Sequence, residues 1–182
     1  APSFIKLLQA FHSPRAILQA DAAELAGIVK PRAVKALQAG PDTDKFNQTL
    51  QWLALQGNGF VTLECPEYPR LLLQLADPPP VLYVKGRLDL LQAPAIAMVG
   101  SRHPTPQGAQ NAEQFAKALS CAGVSIVSGL ALGIDAAAHI GGLQGHGSTI
   151  AVVGTGLDRV YPARHHDLAH QIAAQGLILS EF

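Results

Sequence analysis

Glycine-rich turns follow three short apolar segments of the chain, and turns of this kind can bind anions. Backbone N–H groups at the start of a helix can approach a phosphate closely where glycine leaves space, and the helix dipole favours the negative charge. The candidate anion-binding residues are Gly100, Ser101 and Arg102 in the first turn, Ser128, Gly129 and Gly133 in the second, and Gly154, Thr155 and Gly156 in the third.

Arg102 strengthens the anion-binding interpretation of the first turn. Its guanidinium is permanently charged and can bind a phosphate through two N–H groups at once, or stack on a base. Alternatively, Arg102 is a solvated loop residue and the glycines serve only tight packing or positive φ angles. The recurrence of the pattern at three turns favours the functional interpretation.

The same turns lack the signatures of several enzyme classes. The dinucleotide pattern G-x-G-x-x-G and the P-loop pattern G-x-x-x-x-G-K-S/T are both missing. His166 and His170 are spaced i,i+4, but no glutamate lies between them and no cysteine is near, which argues against zinc. No serine lies in a G-x-S-x-G frame. We therefore predict no cofactor, no metal and no catalytic residue.

The pattern of apolar runs predicts the elements that position the turns. Runs at residues 95–99, 124–127, 149–153 and 177–179 are apolar at nearly every position and are separated by helix-length segments. This is typical of parallel strands covered on both faces by crossover helices. We predict an α/β, Rossmann-like, doubly wound parallel sheet over residues 56–182, entered through β-prone runs at 60–63 and 81–84. Only four parallel strands are found where five or six are usual, so the sheet is expected to be truncated.

Residues 1–55 show the 3.6-residue periodicity of short helices. Ser13 before Pro14, and Asp21 three residues before Glu24, are typical helix starts. We predict a small all-α domain of the SAM or helix-hairpin-helix type. It carries six basic and four acidic side chains, and a solvated charged face is a more common reason for such a surplus than a nucleic-acid contact.

The composition argues against a disordered or membrane-spanning protein and does not by itself favour any class of partner. The 182 residues are 48% apolar and 14% charged, with zero formal net charge, so neither disorder nor a general attraction to nucleic acid is expected. No apolar run approaches the roughly 18 residues that cross a bilayer, and the first residues do not resemble a secretory leader. We predict a cytoplasmic protein without a membrane partner.

An ordered set of motifs resembles the DNA-processing protein A family, known as DprA or Smf. The motifs lie at residues 68–72, 77–86, 99–102, 128–131, 133–139, 154–158, 161–162 and 180–182, and the resemblance covers about residues 66–182. It implies an extended Rossmann fold after a small helical domain of the sterile-alpha-motif type. It also implies a non-enzymatic cytoplasmic protein that binds and protects single-stranded DNA, forms homodimers and loads the RecA recombinase during natural transformation.

The resemblance also implies roles for individual residues. Arg102 matches the arginine of the family that contacts DNA, and the turns at 100–101 and 128–129 match the floor of its pocket. Two positions depart from the pattern: Leu132 stands where many relatives carry a basic residue, and His165 where many carry asparagine. Arg164 is the candidate that supplies a charge near that loop.

An enzyme is the alternative hypothesis. Related Rossmann proteins cleave nucleotide N-glycosidic bonds, and the same pocket could hold a nucleoside monophosphate. Such enzymes carry a Pro-Gly-Gly-x-Gly-Thr turn followed by a glutamate, which these 182 residues do not contain.

Overall fold

The computed structural model describes residues 2–182, which form two compact units. One unit comprises the chain up to Ala54 together with Arg70–Pro80, and the other comprises Leu55–Pro69 with Val81–Phe182. The sequence assigned residues 70–80 to the second domain, whereas in the structure this proline-flanked segment groups with the helical unit. No helix among the described residues is long and apolar enough to cross a membrane.

The first unit contains five short helices, α1 to α5. Ser13 caps α2 by accepting a hydrogen bond from the backbone N–H of Ala16, and Asp21 and Glu24 form a reciprocal capping box at α3, so both predicted helix starts are confirmed. The helices are Pro2–Phe11, Pro14–Gln19, Ala22–Ala26, Pro31–Gln38 and Thr43–Leu53, and a short 3₁₀ helix spans Leu72–Gln74. Their core is the buried cluster of Leu7, Ile17, Leu25, Val29 and Val34.

The second unit contains a six-stranded sheet and three helices. The strands β1 to β6 are Asn58–Thr62, Val81–Gly86, Ala95–Ala97, Ser125–Ser128, Thr149–Val153 and Leu177–Ser180. The helices α6 to α8 are Pro106–Cys121, Ile134–Gly142 and His166–Gln175, with 3₁₀ helices at Leu88–Gln92 and Ala163–His165. The strand order is β1-β2-β6-β5-β4-β3.

The sheet is mixed, and its parallel half carries the crossover helices. Strands β3 to β6 pair in parallel, whereas β1 pairs with β2 and β2 with β6 in antiparallel fashion. The predicted α/β class with βαβ repetition is confirmed. The two β-prone runs of the entry segment, expected to precede the sheet, extend it as its antiparallel edge.

The crossover helices cover one face of the parallel strands within residues 2–182. Ile126 packs with Ala116 of α6 and Ala138 of α7, while Ala151 packs with Ala169 of α8. The register aligns Ile126 with Thr149, so Ile126 and Ala151 point to the same face. Strands β3, β4, β5 and β6 follow one another in space as they do in sequence. Right-handed crossovers between them therefore place α6, α7 and α8 on the same face of the sheet. On the opposite face Ile150, Leu177 and Leu179 are buried, and Val152 is 45% exposed.

Candidate functional site

The first and second glycine turns pack directly against each other at the carboxyl edge of the parallel strands. The backbone N–H of Ile134 donates to the carbonyl oxygen of Ser101 at 3.1 Å. Gly133 has φ of +84°, and a Cβ atom there would collide with the Ser101 carbonyl oxygen and lie 2.8 Å from the Arg102 carbonyl carbon. Only glycine combines that φ with so close an approach. Gly133 therefore fixes the first turn against the start of α7.

Ser128 links the ends of two neighbouring strands at this edge through a hydrogen bond. Its side chain is buried, and its hydroxyl donates to the carbonyl oxygen of Met98 at 2.7 Å. That bond ties the end of β4 to the residue that follows β3. Ser128 was predicted as a phosphate-binding residue, and in the structure its hydroxyl proton is used within the protein.

The backbone amides of the second turn are occupied by an internal carboxylate. Asp135, in the first turn of α7, is buried, and its Oδ2 accepts hydrogen bonds from the N–H groups of Gly129 at 3.0 Å and Ala131 at 3.2 Å. Gly129 itself is exposed. These amides were expected to face a phosphate, but the carboxylate of Asp135 already holds the position of the anion.

The positive φ of the second turn lies at Leu130 and not at Gly129. Leu130 has φ of +60° and a side chain that is 2% exposed. Its carbonyl oxygen accepts a hydrogen bond from Nδ1–H of His165 at 2.9 Å. Burial of the side chain and this hydrogen bond hold a backbone conformation that leucine rarely adopts. Neither residue was singled out for this role from the sequence, because propensity assigns such angles to glycine.

The third turn shares the same edge but is more open. The carbonyl oxygen of Val152 lies 3.9 Å from the Cβ position of Gly129, which places the end of β5 beside the second turn. Gly154 is exposed and nothing lies within 4 Å of its Cβ position. The carbonyl oxygen of Thr155 accepts a hydrogen bond from the Ser180 hydroxyl at 2.7 Å, which fixes this turn to β6.

Two exposed arginines accompany the turns, and neither forms an ion pair within residues 2–182. Arg102 lies in the first turn. Arg164 lies in the 3₁₀ helix Ala163–His165, and the next residue, His165, binds Leu130 of the second turn. His165, which departs from the family pattern, therefore anchors the segment that carries Arg164. Arg159, by contrast, lies 3.7 Å from a carboxylate oxygen of Asp158.

His139 lies beneath the site and is held neutral by burial. The Thr149 hydroxyl donates to the Ile126 carbonyl oxygen at 2.6 Å, so it accepts from Nδ1–H of His139 at 2.7 Å. Nε2 is then unprotonated, and it has no hydrogen-bond partner among the described residues. Burial lowers the pKa of His139 to about 4, against a raising effect of Asp135 and with a further lowering effect of His165.

Within residues 2–182, no group of three or more histidine, cysteine, aspartate or glutamate side chains is arranged to hold an ion. His170 uses Nδ1–H to bind the carbonyl oxygen of His166 at 2.8 Å. The edge has two exposed arginines, one in the first turn and one in the segment that His165 ties to the second turn, and arginine is suited to binding phosphate groups.

The curated proteins that this chain resembles are DNA-processing proteins named DprA or Smf. The family model described as DNA recombination-mediator protein A matches residues 59–182. Protein Smf of Synechocystis is 51% identical over 127 residues, which are 68% of this chain and 32% of that protein. DNA processing protein DprA of Streptococcus pneumoniae is 49% identical over 115 residues, which are 63% of this chain and 40% of that protein. The matched residues thus span about a third to two fifths of these relatives.

Solved structures agree with the sequence relatives. The X-ray structure of DprA from Streptococcus pneumoniae superposes with a TM-score of 0.81 at 34% identity, covering 100% of this chain and 62% of that chain. DNA processing protein A from Helicobacter pylori, whose structure describes a single-stranded DNA binding mode, gives a TM-score of 0.61 at 40% identity, with 68% and 55% covered. With the family model matching more than half of its length, the chain belongs to the DNA recombination-mediator protein A family, as its motifs indicated.

Proposed function

We propose that this chain supplies a single-stranded DNA-binding surface, formed by the joined first and second turns with Arg102 and Arg164. In the whole protein, this surface serves a cytoplasmic recombination mediator that protects incoming single strands and loads the RecA recombinase during natural transformation, without catalysing a reaction. The Helicobacter pylori relative, whose structure concerns single-stranded DNA binding, supports the choice of single-stranded DNA as the ligand. RecA loading and homodimer formation rest on the family resemblance.

The packing of Gly133 against the first turn carries the proposal. Because the start of α7 packs closely on the first turn and binds the Ser101 carbonyl oxygen, we infer that the backbone that presents Arg102 is preorganised. A guanidinium on a preorganised turn loses less conformational entropy on binding than one on a flexible loop. Since the net charge of the chain is zero, affinity must come from such focused contacts and not from a general positive field.

The second turn contributes to the proposed DNA-binding surface mainly by its shape, because its amides are already hydrogen-bonded. Asp135 saturates the amides of Gly129 and Ala131, so phosphate capture falls to Arg102, Arg164 and the exposed backbone of the first turn. Val99, immediately before Gly100, is 76% exposed and offers an apolar surface on which a base can rest. Aromatic residues make up only 5% of the chain, so extensive base stacking of the kind found in other single-strand binders is not expected.

Fluorescence anisotropy of a labelled oligo-dT tests the proposal with a matched pair of variants. Lys117 is exposed near the far end of α6, so Lys117→Ala removes one positive charge from the same unit, away from the turns. We expect Arg102→Ala to weaken binding by about tenfold, as loss of a charged phosphate contact does, and Lys117→Ala to have little effect. Equal effects of the two variants would refute the assignment of the site.

A further inference from the structure

A cavity in the sheet unit lies beside the proposed DNA-binding surface. It has a volume of about 300 Å³ and is formed between α8, the loop after β5, and Lys85 on β2. It shares Leu130 of the second turn and Thr155 of the third turn with the glycine edge. Arg102, Arg164 and the first turn do not contribute.

The floor and the rim of this cavity differ in chemistry. The floor is apolar, formed by Leu130, Val153, Leu157, Val160, Ala169, Ala173 and Ile178. The rim carries Lys85, Arg159, the hydroxyl groups of Thr155 and Tyr161, and the imidazoles of His166 and His170. An apolar floor with a few convergent polar groups is the usual composition of a small-molecule site.

The charges at the rim favour an anion. Lys85 and Arg159 contribute two positive charges, and the one acidic lining residue, Asp158, lies 3.7 Å from Arg159. That contact is between side chains that are 73% and 63% exposed, so it is weak and an incoming anion can compete for the guanidinium.

The histidine pair at the rim favours a planar group. The rings of His166 and His170 lie with centroids 4.2 Å apart and planes tilted by 36°. Because Nδ1–H of His170 donates to the His166 carbonyl oxygen, Nε2 of the neutral ring is an acceptor for a donor on the ligand. The volume is at the lower end of the range for ligand pockets, so it admits one ring system with one charged group.

We propose that this cavity binds a free mononucleotide, a phosphate monoester carrying a planar base, independently of the strand bound at the glycine turns. The base lies on the apolar floor beside the two histidines, and the phosphate is held by Arg159 and Lys85. The site gives the protein a means to sense a small nucleotide while it holds DNA.

Isothermal titration with thymidine monophosphate tests this proposal, with thymidine and inorganic phosphate as partial ligands. Arg159→Glu reverses an exposed charge at the rim without touching the core, and Ala173→Leu fills the floor without changing charge. We expect either substitution to weaken thymidine monophosphate binding by about tenfold or more, since a charge-assisted contact or the space for the base is lost. Arg102→Ala should leave this binding unchanged, and each partial ligand should bind more weakly than the monophosphate.

Three results would overturn the mononucleotide site. One is no heat of binding up to roughly 10 mM thymidine monophosphate. Another is binding that is lost in Arg102→Ala and kept in Arg159→Glu, which would place the nucleotide at the glycine turns. The third is an equal loss of oligo-dT affinity in Ala173→Leu, which would assign the cavity to the DNA strand. Oligo-dT binding of the unaltered chain, measured separately, distinguishes these results from a failure of the DNA-binding proposal.

Discussion

Oδ2 of Asp135 lies 3.0 Å from the backbone nitrogen of Gly129 and accepts its hydrogen bond, so a side chain of the protein holds the place that a phosphate would take at the second turn. The same oxygen accepts a second bond from Ala131 at 3.2 Å. An anion-binding turn closed by its own carboxylate is rigid and carries a negative charge. Under the proposed function, a DNA strand contacts the surface beside this turn and not its amides.

Replacing Asp135 by asparagine separates the structural and electrostatic effects of the carboxylate. The side-chain oxygen of Asn can take the place of Oδ2 and accept both amide bonds, but the charge is lost, so we expect a loss of about 1 kcal/mol in the free energy of unfolding. With the negative charge gone from the edge, oligo-dT affinity should rise by about twofold or more. Urea denaturation followed by circular dichroism, and anisotropy, measure the two effects.

Asp89→Asn is the matched control for this substitution. Asp89 forms an exposed ion pair with Arg87, whose backbone N–H binds Gly176 at the opposite end of β6 from the turns. Exposed pairs contribute little to stability, so neither quantity should change much. If Asp135→Asn weakened oligo-dT binding in a folded protein, the carboxylate would be shown to assist the ligand.

Two glycines of the site should differ strongly in how far an added methyl group destabilises the protein. Gly133→Ala places a Cβ atom against the Ser101 carbonyl oxygen at a φ of +84°, and we expect it to lower the free energy of unfolding by at least about 2 kcal/mol. Gly154→Ala has open space and no positive φ, so its effect should stay within about 0.5 kcal/mol. Similar melting curves for the two variants would contradict the described packing of the turns.

His139 makes the stability of the sheet unit dependent on pH. Its pKa is lowered from 6.5 to about 4 by burial, so between these values the unfolded chain binds a proton that the folded chain does not. Stability therefore falls as the pH decreases through this window, by an amount on the order of 3 kcal/mol over its full width. Well above pH 6.5 the residue is neutral in both states and contributes no pH dependence.

Urea denaturation at about pH 7 and about pH 5 checks this expectation in His139→Gln. The variant should show a smaller stability difference between the two pH values, whereas His146→Gln, at an exposed position, should behave like the unaltered chain. Far-UV circular dichroism is the appropriate signal, because the single tryptophan, Trp52, belongs to the helical unit. An unchanged pH dependence in His139→Gln would mean that another group titrates.

Local sequence signals predicted the secondary structure of this chain well, because they are physical signals of short range. Ser13 before Pro14 starts α2, and the Ser13 hydroxyl accepts the N–H of Ala16 at 3.1 Å. The apolar runs coincide with the parallel strands; β4, β5 and β6 are mostly buried, as such runs predict, whereas β3 is exposed. The antiparallel pairing of β1 with β2 and of β2 with β6 could not be foreseen, since strand order depends on contacts between distant residues.

The candidate site was predicted as a set of turns but not in its internal bonding. The carboxyl ends of parallel strands meet at one edge, which is why Arg102, Gly129 and Gly154 could be grouped from the sequence. That Asp135 closes the second turn, and that His165 binds Leu130, depends on side-chain directions that a linear pattern does not contain. The assignment of individual residues to DNA stays a prediction.

The salt dependence of oligo-dT binding tests the DNA-binding account most directly. Each phosphate neutralised by a cation releases counterions, so the logarithm of the association constant falls with the logarithm of salt concentration. We expect Arg102→Ala to reduce the magnitude of this slope by about 0.7, the value for one contact on a single strand, while Lys117→Ala keeps the slope of the unaltered chain. A slope and affinity unchanged in a folded Arg102→Ala protein would contradict the proposal that the joined glycine turns hold the strand.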